Sequence, residues 1–253
     1  MHERVNVLGV GVSAINMRLA LDQLHDWIVS GDRQFVSVCN VHSVMECRRD
    51  PRLRQIVNAA GMVTPDGMPL VWLARRSGHK AVARVYGPDL MLAELSASQQ
   101  SGHSHFFYGG RPGVADRLAA AMRRRFPGAR VVGTYSPPLA SAAELCNAEV
   151  ASLINESRAD IVWVGISSPK QEYWMSCMRP MLQAAVLIGV GAAFDFHTGN
   201  VPQAPGWMQR AGLEWLFRLI VEPRRLWRRY LIDNPWFIFE IARQRLGLRH
   251  YEL

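Results

Sequence analysis

The chain has 253 residues, 49% apolar and 20% charged, which excludes a disordered chain and leaves room for one large α/β domain, with or without an appendage. Its net charge is +8, and nearly all of the positive charge is arginine, with Lys80 and Lys170 the only lysines. No stretch approaches the roughly 18 consecutive apolar residues of a spanning helix, and the first residues lack the charged start and apolar core of a secretory signal.

An apolar run, a glycine-rich turn and an amphipathic helix recur through most of the chain. Residues 5–12 predict a strand, and 13–29 a helix with Ile15, Leu19, Leu24 and Ile28 on one side. A strand over 35–39 ends at Asn40 and leads to a helix over 43–50. A short strand at 61–63 precedes a turn at 64–69. Next come a strand at 105–108, the turn Gly109-Gly110, and a helix over 112–126 with Pro112 in its first turn. A strand over 130–135, a helix over 141–157, a strand over 161–164, a turn at 165–169, a helix over 170–182 and a strand over 185–189 follow. Continuous apolar strands alternating with helices indicate an α/β fold, a Rossmann-like, mostly parallel sheet flanked by helices.

From residue 202 the pattern changes. Nine arginines and five acids lie there, half of the net charge, with Trp207, Trp215, Phe217, Trp227, Tyr230, Trp236, Phe237 and Phe239. We read residues 1–201 as an α/β catalytic domain and 202–253 as a basic, aromatic-rich helical appendage of two or three helices, interrupted at Pro223 and Pro235. Few glycine-turn or sheet contacts would hold it, so a loosely held element is expected. The four cysteines, Cys39, Cys47, Cys146 and Cys177, show no C-x-x-C spacing. They are expected as free thiols in a reducing compartment, with Cys47, beside Arg48 and Arg49, the more exposed.

Ligands of parallel sheets bind beyond the carboxyl ends of the strands. The turns at Gly109-Gly110 and at Gly165 both follow strands and open helices, where free amides and the helix dipole favour phosphate. A glycine that merely permits a tight turn is the plainer alternative. Residues 7–14 hold part of a G-x-G-x-x-G pattern, but no acidic residue ends a second strand about 20 residues on, which excludes a nicotinamide dinucleotide site. Asp66 sits between Pro65 and Gly67, a stiff turn that can present a carboxylate as a general base. An Asx turn onto its own backbone is the local alternative. Arg84, near the Gly87 turn, suits a diphosphate or an exposed salt bridge. Asp195, just beyond the last strand, can accept hydrogen bonds from a ribose or base, whereas His197 reads as structural. The eight histidines form no H-E-x-x-H pattern and no D-x-D appears, so no metal is expected. Arg224, Arg225, Arg228 and Arg229 fall on neighbouring helical turns, interleaved with Trp227 and Tyr230. That mixture suits an anionic membrane surface, or a solvated face whose aromatics pack inward. No nucleic-acid module is recognisable, so no nucleic-acid partner is expected.

The ordered set of these motifs resembles the WecG/TagA/CpsF glycosyltransferases, glycosyltransferase family 26. It comprises Val38-Cys39-Asn40, Thr64-Pro65-Asp66-Gly67, the stretch from Arg84 to Asp89, the Gly109-Gly110 turn, the stretch from Gly165 to Glu172, the segment ending at Asp195, and the block from Gly212 to Tyr230. The resemblance implies inverting, metal-independent transfer, without any cofactor, from a UDP-sugar to a polyprenyl-diphosphate-linked sugar in cell-surface or exopolysaccharide biosynthesis. It places the base at Asp66 and carries over Asn40 and Gln171; Thr64, Arg84, Gly109, Gly110, Gly165 and Asp195 join them as donor-binding candidates. Arg218, Arg224, Arg225, Arg228 and Arg229 are the candidates for acceptor and membrane binding. The implied location is cytoplasmic, peripheral on the inner membrane, and a homo-oligomer is compatible with it. Many members read T-L-N where this chain reads Val38-Cys39-Asn40, so the threonine hydroxyl is absent unless Ser37 replaces it. The competing reading is a non-catalytic nucleotide- or phosphosugar-binding module, in which Asp66 has no task.

Overall fold

A computed structural model describes residues 2–253. The chain opens with a hairpin. β1 (Arg4–Val7) and β2 (Val10–Ser13) pair antiparallel, apart from the main sheet. The strand expected over 5–12 is therefore two strands, because Leu8 and Gly9 both take positive φ and reverse the chain. α1 (Met17–Ser30) begins later than expected because Asn16 caps it, its side chain accepting from the Leu19 N–H. After β3 (Gln34–Cys39), Asn40 caps α2 (Val41–Arg49) and Asp50 caps α3 (Pro51–Ala59). β4 (Met62–Pro65), α4 (Met68–Arg76) and α5 (Gly87–Ser101) follow, then β5 (Ser104–Gly109), α6 (Val114–Arg125) and β6 (Arg130–Tyr135). The helix expected over 141–157 is broken at Cys146 into α7 (Ala142–Leu145) and α8 (Ala148–Glu156), since Asn147 caps a new start. β7 (Ile161–Gly165), α9 (Lys170–Met178), β8 (Val186–Gly189) and α10 (Ala193–His197) complete the body.

Six strands form one parallel sheet in the order β4-β3-β8-β7-β5-β6. Strand alternation sends Phe35 and Cys39 to one face, with Trp174 and Met175, and Val36 and Val38 to the other, with Ile15 and Phe194. Both faces are covered, which explains the unbroken apolar runs of β7 and β8. From β3 the chain moves outward to β4, whereas β8 arrives from the opposite side through β7. The order thus reverses between β3 and β8, and a crevice opens beyond their carboxyl ends.

The appendage comprises α11 (Gly206–Arg210), α12 (Glu214–Val221), α13 (Pro223–Trp227), a π-helical turn (Arg228–Ile232) and α14 (Asp233–Arg245). Pro223 begins α13, as expected. The break expected at Pro235 is absent, because the π turn opens the carbonyl ladder just ahead of a residue with no N–H to donate. Nor is the last helix loosely held. Glu240 is fully buried and meets Arg48 at 2.9 Å, Arg243 at 3.5 Å and Arg249 at 3.6 Å, while Phe237 joins the core. Of the 18 large apolar side chains exposed among the described residues, 13 lie after residue 202, so apolar exposure is concentrated in this appendage. Among those residues no helix is long and apolar enough to cross a membrane.

The cysteine expectation needs correcting. Cys146 and Cys177 form a disulfide, with Cα atoms 6.2 Å apart, because α7 packs on α9. Only Cys39 and Cys47 are free thiols. Both are buried, and burial, with the Glu172 charge adding, pushes the Cys47 thiol up to about 12.

Candidate active site

A cavity of about 680 Å³ opens at the β3/β8 crevice and is closed from the other side by the appendage. The body contributes Asn40, Asp66, Arg84 and Gln171; the appendage contributes Glu214, Arg218, Arg225 and Arg229.

Asp66 follows directly on β4. Its N–H donates to the Cys39 carbonyl at 2.8 Å, which stitches the two strand ends together. The Asn40 side-chain amide donates to Asp66 Oδ2 at 3.2 Å, while Oδ1 is buried without a partner. The carboxylate makes no bond to the backbone of its own turn, so this is not an Asx turn. Asn40 meanwhile caps α2 with its carbonyl oxygen, which also accepts from Arg229 Nη2 at 3.3 Å. Burial pushes the Asp66 carboxyl up to about 6, and Glu214 adds to the rise. Arg84, the Asn40 hydrogen bond and Arg229 pull it back. A carboxylate poised there, with one oxygen uncommitted, has the properties of a general base.

Arg84 donates through Nε to the Asp66 carbonyl and through Nη1 to Gln209 Oε1 at 3.0 Å, pairs through Nη2 with Glu214, and lies 3.9 Å over the Tyr86 ring. Glu222 holds Arg225 at 2.5 Å and Arg218 at 3.8 Å. Arg229 has no carboxylate within salt-bridge distance among the described residues. Its Nε is sealed without a partner, and burial, reinforced by Arg218 and Arg225, lowers its affinity for a proton. A guanidinium in that setting is suited to a multivalent anion.

Among the described residues, one group of potential metal ligands stands at the rim: His42, Glu46 and Asp233, with ligand atoms within 4.8 Å of one another. Arg49 already bonds Glu46 at 2.7 Å and also pairs with Asp233, so a guanidinium supplies the positive charge that an ion would bring to this group. His42 Nδ1 lies 3.2 Å from Asp233 Oδ2.

Several sequence candidates lie elsewhere. Gly109, Gly110 and Gly165 do not line the cavity. They let β5, β7 and their turns approach closely, and a Cβ at Gly109 would stand 2.5 Å from the Gly165 carbonyl oxygen. Asp195 also lies outside and accepts from the Asn200 amide at 3.0 Å. Thr64 is fully buried beneath Asp66, with its hydroxyl unpartnered. Gln171 lines the cavity wall but is 2% exposed; its amide donates to Glu172 and its carbonyl accepts from the Gly191 N–H. Arg224 and Arg228 are exposed and face away. Ser37 does not replace the missing threonine: Val38 lines the cavity, and Ser37 is buried on the opposite sheet face.

Sequence reading missed His42, Gln209, Glu214 and Glu222, for which no local signal exists. It also missed an apolar stripe on α4, Met68, Pro69, Trp72 and Leu73, whose helical spacing was available as a signal.

Fold and cavity define a Rossmann-like α/β enzyme. Compared with known proteins, residues 5–251 match the glycosyl transferase WecG/TagA/CpsF family. A relative from Bacillus spizizenii is 32% identical over 218 residues, covering 86% of this chain and 82% of that protein. Another from Bacillus subtilis is 29% identical over 196 residues, covering 78% and 74%. Both are named N-acetylglucosaminyldiphosphoundecaprenol N-acetyl-beta-D-mannosaminyltransferase. The chain belongs to the WecG/TagA/CpsF family of glycosyltransferases.

Proposed function

We propose that this enzyme moves a sugar from a UDP-sugar to a polyprenyl-diphosphate-linked acceptor sugar, with inversion and without a metal. The names of the relatives make N-acetylmannosamine the first sugar to test, on an N-acetylglucosaminyl diphosphate acceptor. The observation that carries the reading is Asp66, a buried carboxyl with a midpoint near 6 and a free Oδ1 at the switch point of the sheet. Asp66 takes the proton from the acceptor hydroxyl as that oxygen bonds to the anomeric carbon. The bond from that carbon to the diphosphate breaks on the opposite face, and the electron pair leaves with UDP. Arg84 stabilises the charge on the leaving diphosphate, the task a metal would otherwise perform, and Arg218, Arg225 and Arg229 hold the diphosphate of the acceptor. Arg224 and Arg228, with exposed Trp227, Trp236 and Phe239, rest on an anionic membrane from its cytoplasmic side.

The test is a screen of UDP-sugars with the purified protein, EDTA and a defined lipid-linked acceptor, with UDP release and product followed by mass spectrometry. Acceptor-dependent transfer from one sugar, lost in Asp66→Asn, supports the reading, and the configuration of the product reports inversion. Turnover that EDTA abolishes overturns the metal-free part. No transfer from any sugar by folded protein favours a non-catalytic binding module.

A further inference from the structure

The proposed chemistry uses the polar end of the cavity and leaves its apolar end unexplained. Two helices form that end. On α4, Leu70, Val71 and Ala74 face the core, while Met68, Trp72 and Leu73 turn the other side toward the cavity. At 1.5 Å per residue this side extends ~12 Å from the Asp66 turn to Arg76. On α14, Phe237, Ile238 and Ile241 lie on one side and face the same space. Both walls begin at the charged end: α4 starts two residues after Asp66, and α14 starts four residues after Arg229. Trp72 is 46% and Ile238 68% exposed, so the groove is open at these two side chains, while Phe237 is buried and Met68, Leu73 and Ile241 also pack in part against the core. Gly212, in the left-handed region, brings the appendage against Trp72, and a Cβ there would stand 2.9 Å from the ring.

A groove of this kind offers little to a nucleoside, whose base and ribose need polar partners. Its chemistry runs from arginines to an apolar trough. A polyprenyl diphosphate has the same order, a multivalent anion joined to a branched hydrocarbon without hydrogen-bonding groups. We propose that the trough between α4 and α14 is a subsite for the first isoprene units of the acceptor lipid. The inference rests on the transfer reading above. It adds that the enzyme recognises the tail itself, in addition to the membrane in which the tail lies.

The experiment uses two water-soluble acceptors carrying the same sugar diphosphate, one as a methyl ester and one as a geranyl ester, in buffer without vesicles or detergent. The expected result for the full chain is a kcat/KM about tenfold or more higher for the geranyl ester, because the trough removes its methyl and methylene groups from water. In Trp72→Ala/Ile238→Ser, with folding checked by thermal melting, that ratio falls toward one. Transfer to both esters at equal efficiency overturns the subsite while leaving the transfer reading intact. So does a variant that keeps the wild-type ratio. A preference that arises only when anionic vesicles are added assigns tail selection to the membrane surface and also overturns the subsite. Transfer to neither ester by protein that turns over the lipid-linked acceptor overturns the subsite alone, and no transfer to any of the three removes both readings.

Discussion

Replacing Asp66 with asparagine should remove activity and add stability, and the two effects share one cause. Burial lifts the Asp66 midpoint from 3.8 to about 6, so holding this carboxylate ionised in the empty fold costs about 3 kcal/mol. The sign follows from linkage. A carboxyl whose folded midpoint lies above its unfolded one binds protons more tightly in the fold. The penalty is absent below pH 3.8, grows between 3.8 and about 6, and is fully present above that. The asparagine would keep the size of the side chain and still accept from the Asn40 amide, so little else changes. Denaturant melts of wild type and Asp66→Asn should differ by about 3 kcal/mol at pH 8 and converge near pH 4. The same variant loses its proton acceptor, and turnover should fall on the order of a hundredfold to ten-thousandfold. In the wild type, kcat/KM should rise with pH through about 6 as the base ionises. Turnover within about tenfold of wild type would remove Asp66 as the base. A stability difference equal at pH 4 and pH 8 would refute the burial argument even if activity were lost.

Glu214 raises the Asp66 midpoint and Arg229 lowers it, so Glu214→Gln should move the acidic limb of the kcat/KM profile down in pH and Arg229→Gln should move it up; shifts in one direction would contradict the assigned charges. Glu240→Ala leaves Arg48 without its buried partner and should cost about 3 kcal/mol. Limited proteolysis should then cut first within α13 and α14, whereas an unchanged pattern would mean that the ion network does not hold the last helix. Cys146 and Cys177 close a loop with a sequence separation of 31. Reduction, or the double serine variant, should therefore lower stability by about 4 kcal/mol, read as a melting shift with and without reductant.

The parallel sheet was legible because its strands are apolar throughout and end at turns, as β7 and β8 show. Four helices of the body were not, among them α10, which is only five residues long. α3 carries two arginines in a short segment, α4 follows directly on the Asp66 turn, and α5 opens with Gly87-Pro88, which reads locally as a turn although Pro88 sits in the first helical turn. The hairpin was hidden because Leu8 takes positive φ, a conformation its side chain gives no reason to expect. The disulfide joins residues that share no local pattern and meet only through the packing of α7 on α9.

Asp66 was legible for a different reason: a proline and a glycine flank it and fix the backbone. Its environment was not, because the groups that set its proton affinity come from distant parts of the chain. Arg84 meets Glu214 across 130 residues, and Arg229 meets Asn40 across 189. These contacts change what the appendage is. Arginines counted along the sequence suggested one surface facing a membrane, yet the fold divides them. Arg224 and Arg228 face outward, while Arg218, Arg225 and Arg229 line the cavity. Glu214 and Glu222 occupy Arg84, Arg218 and Arg225, so among the described residues an arriving diphosphate meets buried Arg229 and exposed Arg76 as the cavity guanidiniums without a carboxylate partner, and must displace carboxylates to reach the others. Displacing Glu214 from Arg84 would alter the field at Asp66 at the moment of binding. The proposed base and the proposed anion site are therefore coupled through side chains that sequence order keeps apart, and this coupling makes residues 202–253 part of the candidate site as well as its candidate route to the membrane.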